Sequence, residues 1–200
     1  MSAINASIKN IGVFCGSRAG ASPAYVDSAK SLGMELAKRG AGLVYGAGGV
    51  GVMGALAAAA LGGGARVTGV IPHDLYERER PDLTQGEIYV ARTMHERKAL
   101  MYRLSDGFAV LPGGFGTLDE VMEVATWNQL GFHTKPVVLI NCDGYYDPLL
   151  TLLDHMVTQG FISLEERALL RVAENTHDAL DQLGWPAAPN QLLDASSQIP

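Results

Sequence analysis

The residues best placed to do chemistry lie within residues 106–127, DGFAVLPGGFGTLDEVMEVATW. An apolar run over residues 108–111 reads as a strand, Gly113, Gly114 and Gly116 as a tight turn, and the segment from Thr117 onward as a helix. A strand, a glycine turn and a helix N-terminus together make an anion seat, because unbonded backbone N–H groups and the positive end of the helix dipole converge there. The glycines let the main chain come close to a phosphate and take positive φ without a Cβ clash. Glu120 adds a carboxylate beside that seat. The same tetrad, Thr117-Leu118-Asp119-Glu120, also fits a purely structural capping box, with Thr117 as N-cap and Glu120 at N3. A capping box requires none of the three glycines, so they point to a ligand.

Two cations break a local rule nearby. Arg97 and Lys98 fall in the first turn of a helix expected over residues 94–105, where positive charge opposes the dipole at a cost of about 0.3 kcal/mol or more each. Glu96 offsets part of this. An uncompensated rule break points to function, and a planar guanidinium suits a phosphate or a carboxylate. For Lys98 a solvated surface role is an equal alternative.

A second glycine loop, Gly46-Ala47-Gly48-Gly49-Val50-Gly51, matches the dinucleotide pattern G-x-G-x-x-G between a strand and a helix. It follows the second strand and not the first, and the only acid suitably placed for a ribose is Asp74, beyond Pro72. No Tyr is followed four residues later by Lys, as a short-chain dehydrogenase would need. The two glycine loops are therefore expected to line one mononucleotide site, with an NAD(P)-dependent oxidoreductase and a non-catalytic mononucleotide-binding module kept as alternatives.

The elements that must position these residues follow from pattern. Strands are expected at 10–16, 42–46, 66–72, 87–91, 108–111, 135–141 and 171–174. Helices are expected at 23–39, where Ser22 caps and Pro23 occupies N1, at 50–61, 94–105, 117–131, 147–159, 163–170 and 176–183. Residues 73–86, rich in charge, read as a loop. Near-continuous apolar strands fit a parallel sheet covered on both faces, and strict alternation with helices predicts a Rossmann-like three-layer α/β/α fold with a mainly parallel sheet. Residues 1–185 are expected to form a single domain, and residues 186–200, with three prolines, a flexible C-terminal tail.

Composition bounds the rest. With 200 residues and a formal charge of −6, the chain lacks the basic patch of a nucleic-acid binder, so no nucleic-acid partner is expected. No run of 18 apolar residues suggests a membrane partner, and the first ten residues carry no signal-peptide core. Cys15 and Cys142 read as buried thiols in a reducing cytoplasm. Five histidines and two cysteines show no metal-ligand spacing. No metal and no cofactor are expected.

Taken together, Met94-His95-Glu96-Arg97-Lys98 and the stretch PGGFGTLDE at 112–120 resemble the "lonely guy" family. These are cytokinin riboside 5′-monophosphate phosphoribohydrolases, formerly labelled lysine decarboxylases. The resemblance runs from about residue 11 to 161 and includes CGS at 15–17, YGAGGVGVMG at 45–54, VIP at 70–72, TW at 126–127 and DGYY at 143–146. It implies hydrolysis of the N-glycosidic bond of a nucleoside 5′-monophosphate, with Arg97 and Glu120 as the catalytic pair. It implies nucleotide contacts from Ser17, Gly48, Glu79, Lys98, Gly113, Gly114, Phe115, Gly116, Thr117 and Thr126. It further implies no cofactor and a homodimer or higher homo-oligomer, for which Trp127, Leu130 and Phe132 are candidate surface. Ala47 stands where many members have Gly, and its methyl is expected to narrow or shift the sugar pocket. The chemistry fits the residues: positive charge develops on the sugar carbon as the bond breaks, and Glu120, kept ionised by the helix dipole, would meet it. Glu79 is expected as binder or second acid.

Overall fold

The computed structural model describes residues 10–79 and 86–185. Seven strands form one sheet in the order β4-β3-β2-β1-β5-β6-β7, with every neighbouring pair parallel. They are β1 (Asn10–Phe14), β2 (Gly42–Tyr45), β3 (Val67–Pro72), β4 (Glu87–Ala91), β5 (Gly107–Val110), β6 (Val137–Ile140) and β7 (Leu170–Ala173). The helices are α1 (Pro23–Lys38), α2 (Gly51–Gly62), α3 (His73–Glu79), α4 (Met94–Leu104), α5 (Phe115–Gln129), α6 (Asp147–Thr158), α7 (Leu164–Arg167) and α8 (Thr176–Gln182).

Strands β2, β3, β5 and β6 are buried at every residue, while β4 at the edge is largely exposed. Alternate residues feed two cores. On one face Ile11, Val13, Leu43 and Ala109 meet Leu32 and Leu36 of α1, Leu56 and Ala60 of α2, and Leu180 of α8. On the other, Phe14, Val44, Phe108 and Val110 meet Met101 of α4, Val121 and Val124 of α5, and Leu153 of α6. The expected three-layer α/β/α architecture is what the structure has. The Ala-rich helix is mostly buried, as its small side chains require: α1 and α2 approach so closely that a Cβ on Gly33 would stand 2.6 Å from the Leu56 carbonyl oxygen and 2.7 Å from the Ala60 nitrogen.

Strand β1 has β2 on one side and β5 on the other, so chain direction away from the sheet reverses between β1 and β5. Ligands of open parallel sheets bind outside the carboxyl ends of the strands at such a switch point. The loops after β1 and β5 are joined there by the Gly16 N–H donating to the Pro112 carbonyl at 3.0 Å.

Several boundaries differ from expectation. Residues 73–79 are helical and not a loop. Asp74 in the first turn complements the dipole, and half-buried Leu75 and Tyr76 pack inward, a signal hidden by the run of charges after them. Helix α7 is a single turn closed by a capping box between Ser163 and Glu166. Helix α5 begins at Phe115 with Gly114 as N-cap, so Thr117 is N3 and there is no Thr117–Glu120 capping box. Residues 1–9 and the tail at 186–200 lie outside the described residues.

Gly33→Ala is expected to destabilise the protein by about 1–3 kcal/mol through overpacking. Gly62→Ala, where nothing lies within 4 Å of a new Cβ, should be neutral or stabilising by under about 1 kcal/mol. Urea denaturation of both variants checks this, and equal losses would contradict the close α1–α2 approach.

Candidate active site

A cleft of about 770 Å³ opens at the switch point, lined by the loops after β1, β2 and β5, the end of β3, and the first turns of α2 and α5. Its volume is that of a small-molecule site. Ser17, Gly48, Arg97, Gly113, Gly114, Phe115, Gly116, Thr117 and Glu120 all line it. The two glycine loops therefore share one cavity.

Arg97 and Glu120 meet there. The Arg97 Nη1 donates to Glu120 Oε1 at 2.8 Å, and Nε donates to the Val70 carbonyl at 3.0 Å. The second terminal nitrogen lies against Gly46, where any side chain would take its place. Side-chain exposure is 11% for Arg97 and 9% for Glu120. Burial pushes the Glu120 carboxyl above its ordinary value, and the Arg97 charge and hydrogen bond only partly oppose this. The favourable charge beside Glu120 is thus the Arg97 guanidinium and not the helix dipole. Glu120 sits in the second turn of α5, beyond the strong part of the dipole, and desolvation dominates. A carboxyl raised by burial and held in place by a cation is suited to accepting a proton.

The expected anion seat falls on the first turn of α5. Gly114 has φ −99° and ψ −150° and offers no side-chain cap, and no described residue accepts a hydrogen bond from the N–H groups of Phe115, Gly116 or Thr117. The glycines serve close approach and not positive φ, since none of the three has φ above zero. A Cβ on Gly113 would collide with the Thr117 hydroxyl and stand 2.8 Å from the Gly16 nitrogen, while Gly114 and Gly116 face open space. The second glycine loop differs. Two of the three first-turn donors of its helix are already used, with the Met53 N–H bonded to the Gly16 carbonyl at 3.1 Å and the Val52 N–H to the Arg18 carbonyl at 3.4 Å. Asp74 is exposed, 3.8 Å from His73, and does not line the cleft. The loop gives the cleft a wall and leaves one first-turn donor, the Gly51 N–H, against three in α5.

Three candidates lie elsewhere. Lys98 stands behind Glu120, in a crevice away from the main cleft, bonded to Asp119 at 3.1 Å and Glu123 at 3.2 Å. Its burial lowers its proton affinity, but these two carboxylates outweigh that and hold it above its ordinary value. A fixed ammonium is not a Schiff-base amine. Thr126 donates to the Met122 carbonyl at 2.7 Å on the outer face of α5, and does not line the cleft. The Glu79 side chain lies outside the described residues. Ala47 is fully buried with φ 61°, and its methyl packs beside Gly69 of β3. The methyl is therefore directed away from the cleft, which it was expected to narrow or shift. A non-glycine residue in this conformation costs about 1–2 kcal/mol.

Sequence reasoning assigned no role to Tyr25, Tyr145 and Met53, which also line the cleft. The traces were Tyr145 within DGYY and Met53 within YGAGGVGVMG. Cys15 lies at the cleft floor with its thiol pushed up by burial and then by Glu120, so it stays protonated and is no nucleophile. Cys142 is only half-buried, donating to the Ala24 carbonyl at 3.3 Å. Among the described residues no group of three or more His, Cys, Asp or Glu could hold a metal ion. No described helix is long and apolar enough to cross a membrane.

Comparison with known proteins agrees with this geometry. Residues 53–183 match the family model described as "Possible lysine decarboxylase". The chain is 50% identical over 175 residues to the cytokinin riboside 5′-monophosphate phosphoribohydrolase LOG7 of Arabidopsis thaliana, covering 88% of this chain and 81% of that one. It is 49% identical over 171 residues to a relative from Oryza sativa subsp. japonica named "Probable cytokinin riboside 5'-monophosphate phosphoribohydrolase LOGL1", covering 86% of this chain and 77% of that one. Among solved structures, the Moco carrier protein of Chlamydomonas reinhardtii superposes with a TM-score of 0.66 at 20% identity, covering 88% of this chain and 95% of that one. The molybdenum cofactor binding protein of Rippkaea orientalis gives 0.66 at 22%, covering 90% and 98%. At such identities these two show a shared fold.

Removing the guanidinium with Arg97→Met should cost about 3 kcal/mol at neutral pH, because it leaves a buried carboxylate unpaired. A carboxyl raised above its unfolded value of 4.5 stabilises the fold below that value and loses the benefit as pH rises through the folded value. Losing Arg97 raises Glu120 further. The gap in Tm between Arg97→Met and the unaltered protein should therefore widen from about pH 5 to about pH 8. Thermal unfolding across that range checks it, and a constant gap would contradict the pairing.

Proposed function

The chain belongs to the "lonely guy" family of cytokinin riboside 5′-monophosphate phosphoribohydrolases. On that premise we propose that it hydrolyses the N-glycosidic bond of adenosine 5′-monophosphate-type nucleotides, including N6-modified ones, to free base and ribose 5-phosphate. The observation that carries this reading is one carboxylate, Glu120, held by Arg97 in the same cleft as the uncapped first turn of α5.

The 5′-phosphate would sit on the N–H groups of Phe115, Gly116 and Thr117, where the dipole favours an anion. Glu120 lies three to five residues along the same helix, about 5 to 8 Å of rise, which is the span of a 5′-methylene and a ribose ring. Seating the phosphate thus delivers the anomeric carbon to the carboxylate, and binding energy from a remote group serves the bond-breaking step. As the C1′–N bond lengthens, the electron pair leaves with the base and positive charge grows on the sugar. Glu120 stabilises that charge and draws a proton from the attacking water. The water oxygen joins C1′, and the departing base nitrogen gains a proton, so that one water is consumed for each base released. Arg97 orients the carboxylate, and its unbonded Nη2 remains for the ligand. Ser17 and Gly48 complete the wall, and Phe115, 93% exposed at the rim, offers a ring face to the base.

A homodimer is supported by the exposed Leu130 and Phe132 beyond the end of α5, and a cytoplasmic setting by two free thiols.

Incubation with AMP and with N6-isopentenyl-AMP should release base and ribose 5-phosphate in equal amounts. Release of nucleoside and inorganic phosphate, or of nothing, would sink the proposal. Glu120→Gln should lower turnover by about 10²- to 10⁴-fold while AMP affinity stays within about threefold. Near-normal hydrolysis by that variant would remove Glu120 from the chemistry.

A further inference from the structure

The main chain entering α5 has its carbonyls tied one after another. The Leu111 carbonyl accepts from the Tyr146 hydroxyl at 2.7 Å, and the Pro112 carbonyl from the Gly16 N–H at 3.0 Å. The Gly113 carbonyl accepts from the Tyr145 hydroxyl, and the Gly114 carbonyl from the Leu118 N–H at 3.1 Å. No described peptide bond is cis. In a trans peptide the C=O and N–H of one unit point in opposite directions, so each tie turns the next residue's N–H away from the group that made it. No described residue accepts from the N–H groups of Gly113, Gly114 or Phe115.

We propose that Tyr145 is a positioning residue for the phosphate seat: its hydroxyl fixes the Gly113–Gly114 peptide so that the Gly114 N–H joins the donors presented to the anion. This rests on the phosphoribohydrolase proposal for the identity of that anion. Two glycines in succession lack the side chains that would otherwise hold this peptide plane, so an outside group must hold it. Tyr145 is itself fixed. Its ring meets Tyr25 edge-on at 5.5 Å and Tyr146 at 5.0 Å, and the turn before it is braced by Ser22 donating to Asp143 at 3.1 Å.

Its neighbour provides the control. Tyr146 makes the same kind of bond two residues earlier in the chain, but the residue after Leu111 is Pro112, which has no N–H to orient. Tyr146, 1% exposed, therefore serves the fold alone.

The test is calorimetric titration of the full chain with ribose 5-phosphate and, separately, with adenosine. Tyr145→Phe keeps the ring and should bind ribose 5-phosphate about three- to tenfold more weakly, with adenosine affinity within about twofold. In turnover with AMP, kcat/KM should fall by at least the same factor. Tyr146→Phe should lower Tm and leave ribose 5-phosphate affinity unchanged. Unchanged ribose 5-phosphate affinity in Tyr145→Phe would overturn the proposal. So would an equal loss for adenosine, which would make Tyr145 a wall of the base pocket. If the unaltered protein bound no ribose 5-phosphate, the phosphate seat itself would fall, and this inference with it.

Discussion

A guanidinium and a carboxylate in hydrogen-bond contact, both nearly removed from water, fix the rest of the site. Neither charge is tolerable alone in that position, because the desolvation of an unpaired buried ion costs several kcal/mol. Arg97 reaches Glu120 from α4 while its Nε is held by the Val70 carbonyl of β3, so three elements must be in register before the pair can close. The glycine at position 46 is the space this requires. The same desolvation that makes the pair costly raises the carboxyl, and a raised carboxyl is what proton transfer from water needs.

The two glycine loops show how similar sequence patterns acquire different roles. Both join a parallel strand to a helix at the switch point. After β2 two of the first three helix donors are bonded to carbonyls of the β1 loop, and the loop becomes a wall. After β5 the carbonyls are the bonded groups and the donors are left over. What separates an anion seat from a structural turn is therefore which half of each peptide the surroundings occupy, a property of partners far away in the chain.

That distinction explains what was legible beforehand. Strand positions, the three layers and the capping of α1 by Ser22 rest on local periodicity and on Pro23, and the sequence carries both. The pairing of Arg97 with Glu120 was foreshadowed by a cation where the dipole disfavours one. The start of α5 was misplaced because Thr117 and Glu120 match a capping box letter for letter, whereas extended Gly114 can end a loop with no side chain at all. Helix α3 was hidden because Leu75 and Tyr76 carry its inward face among charges. Lys98 and Thr126 are turned to α5 itself, and Ala47 to β3, by packing that no spacing records. Tyr145 acts across 32 residues of sequence, beyond any local pattern.

The central claim is that a phosphate on the first turn of α5 brings the anomeric carbon to Glu120. A crystal structure of the Glu120→Gln variant with AMP tests it most directly. The account predicts the phosphate on the N–H groups of Phe115, Gly116 and Thr117, with C1′ in contact with the side chain at position 120. Phosphate seated on the loop after β2, or a ribose turned away from that side chain, would contradict it.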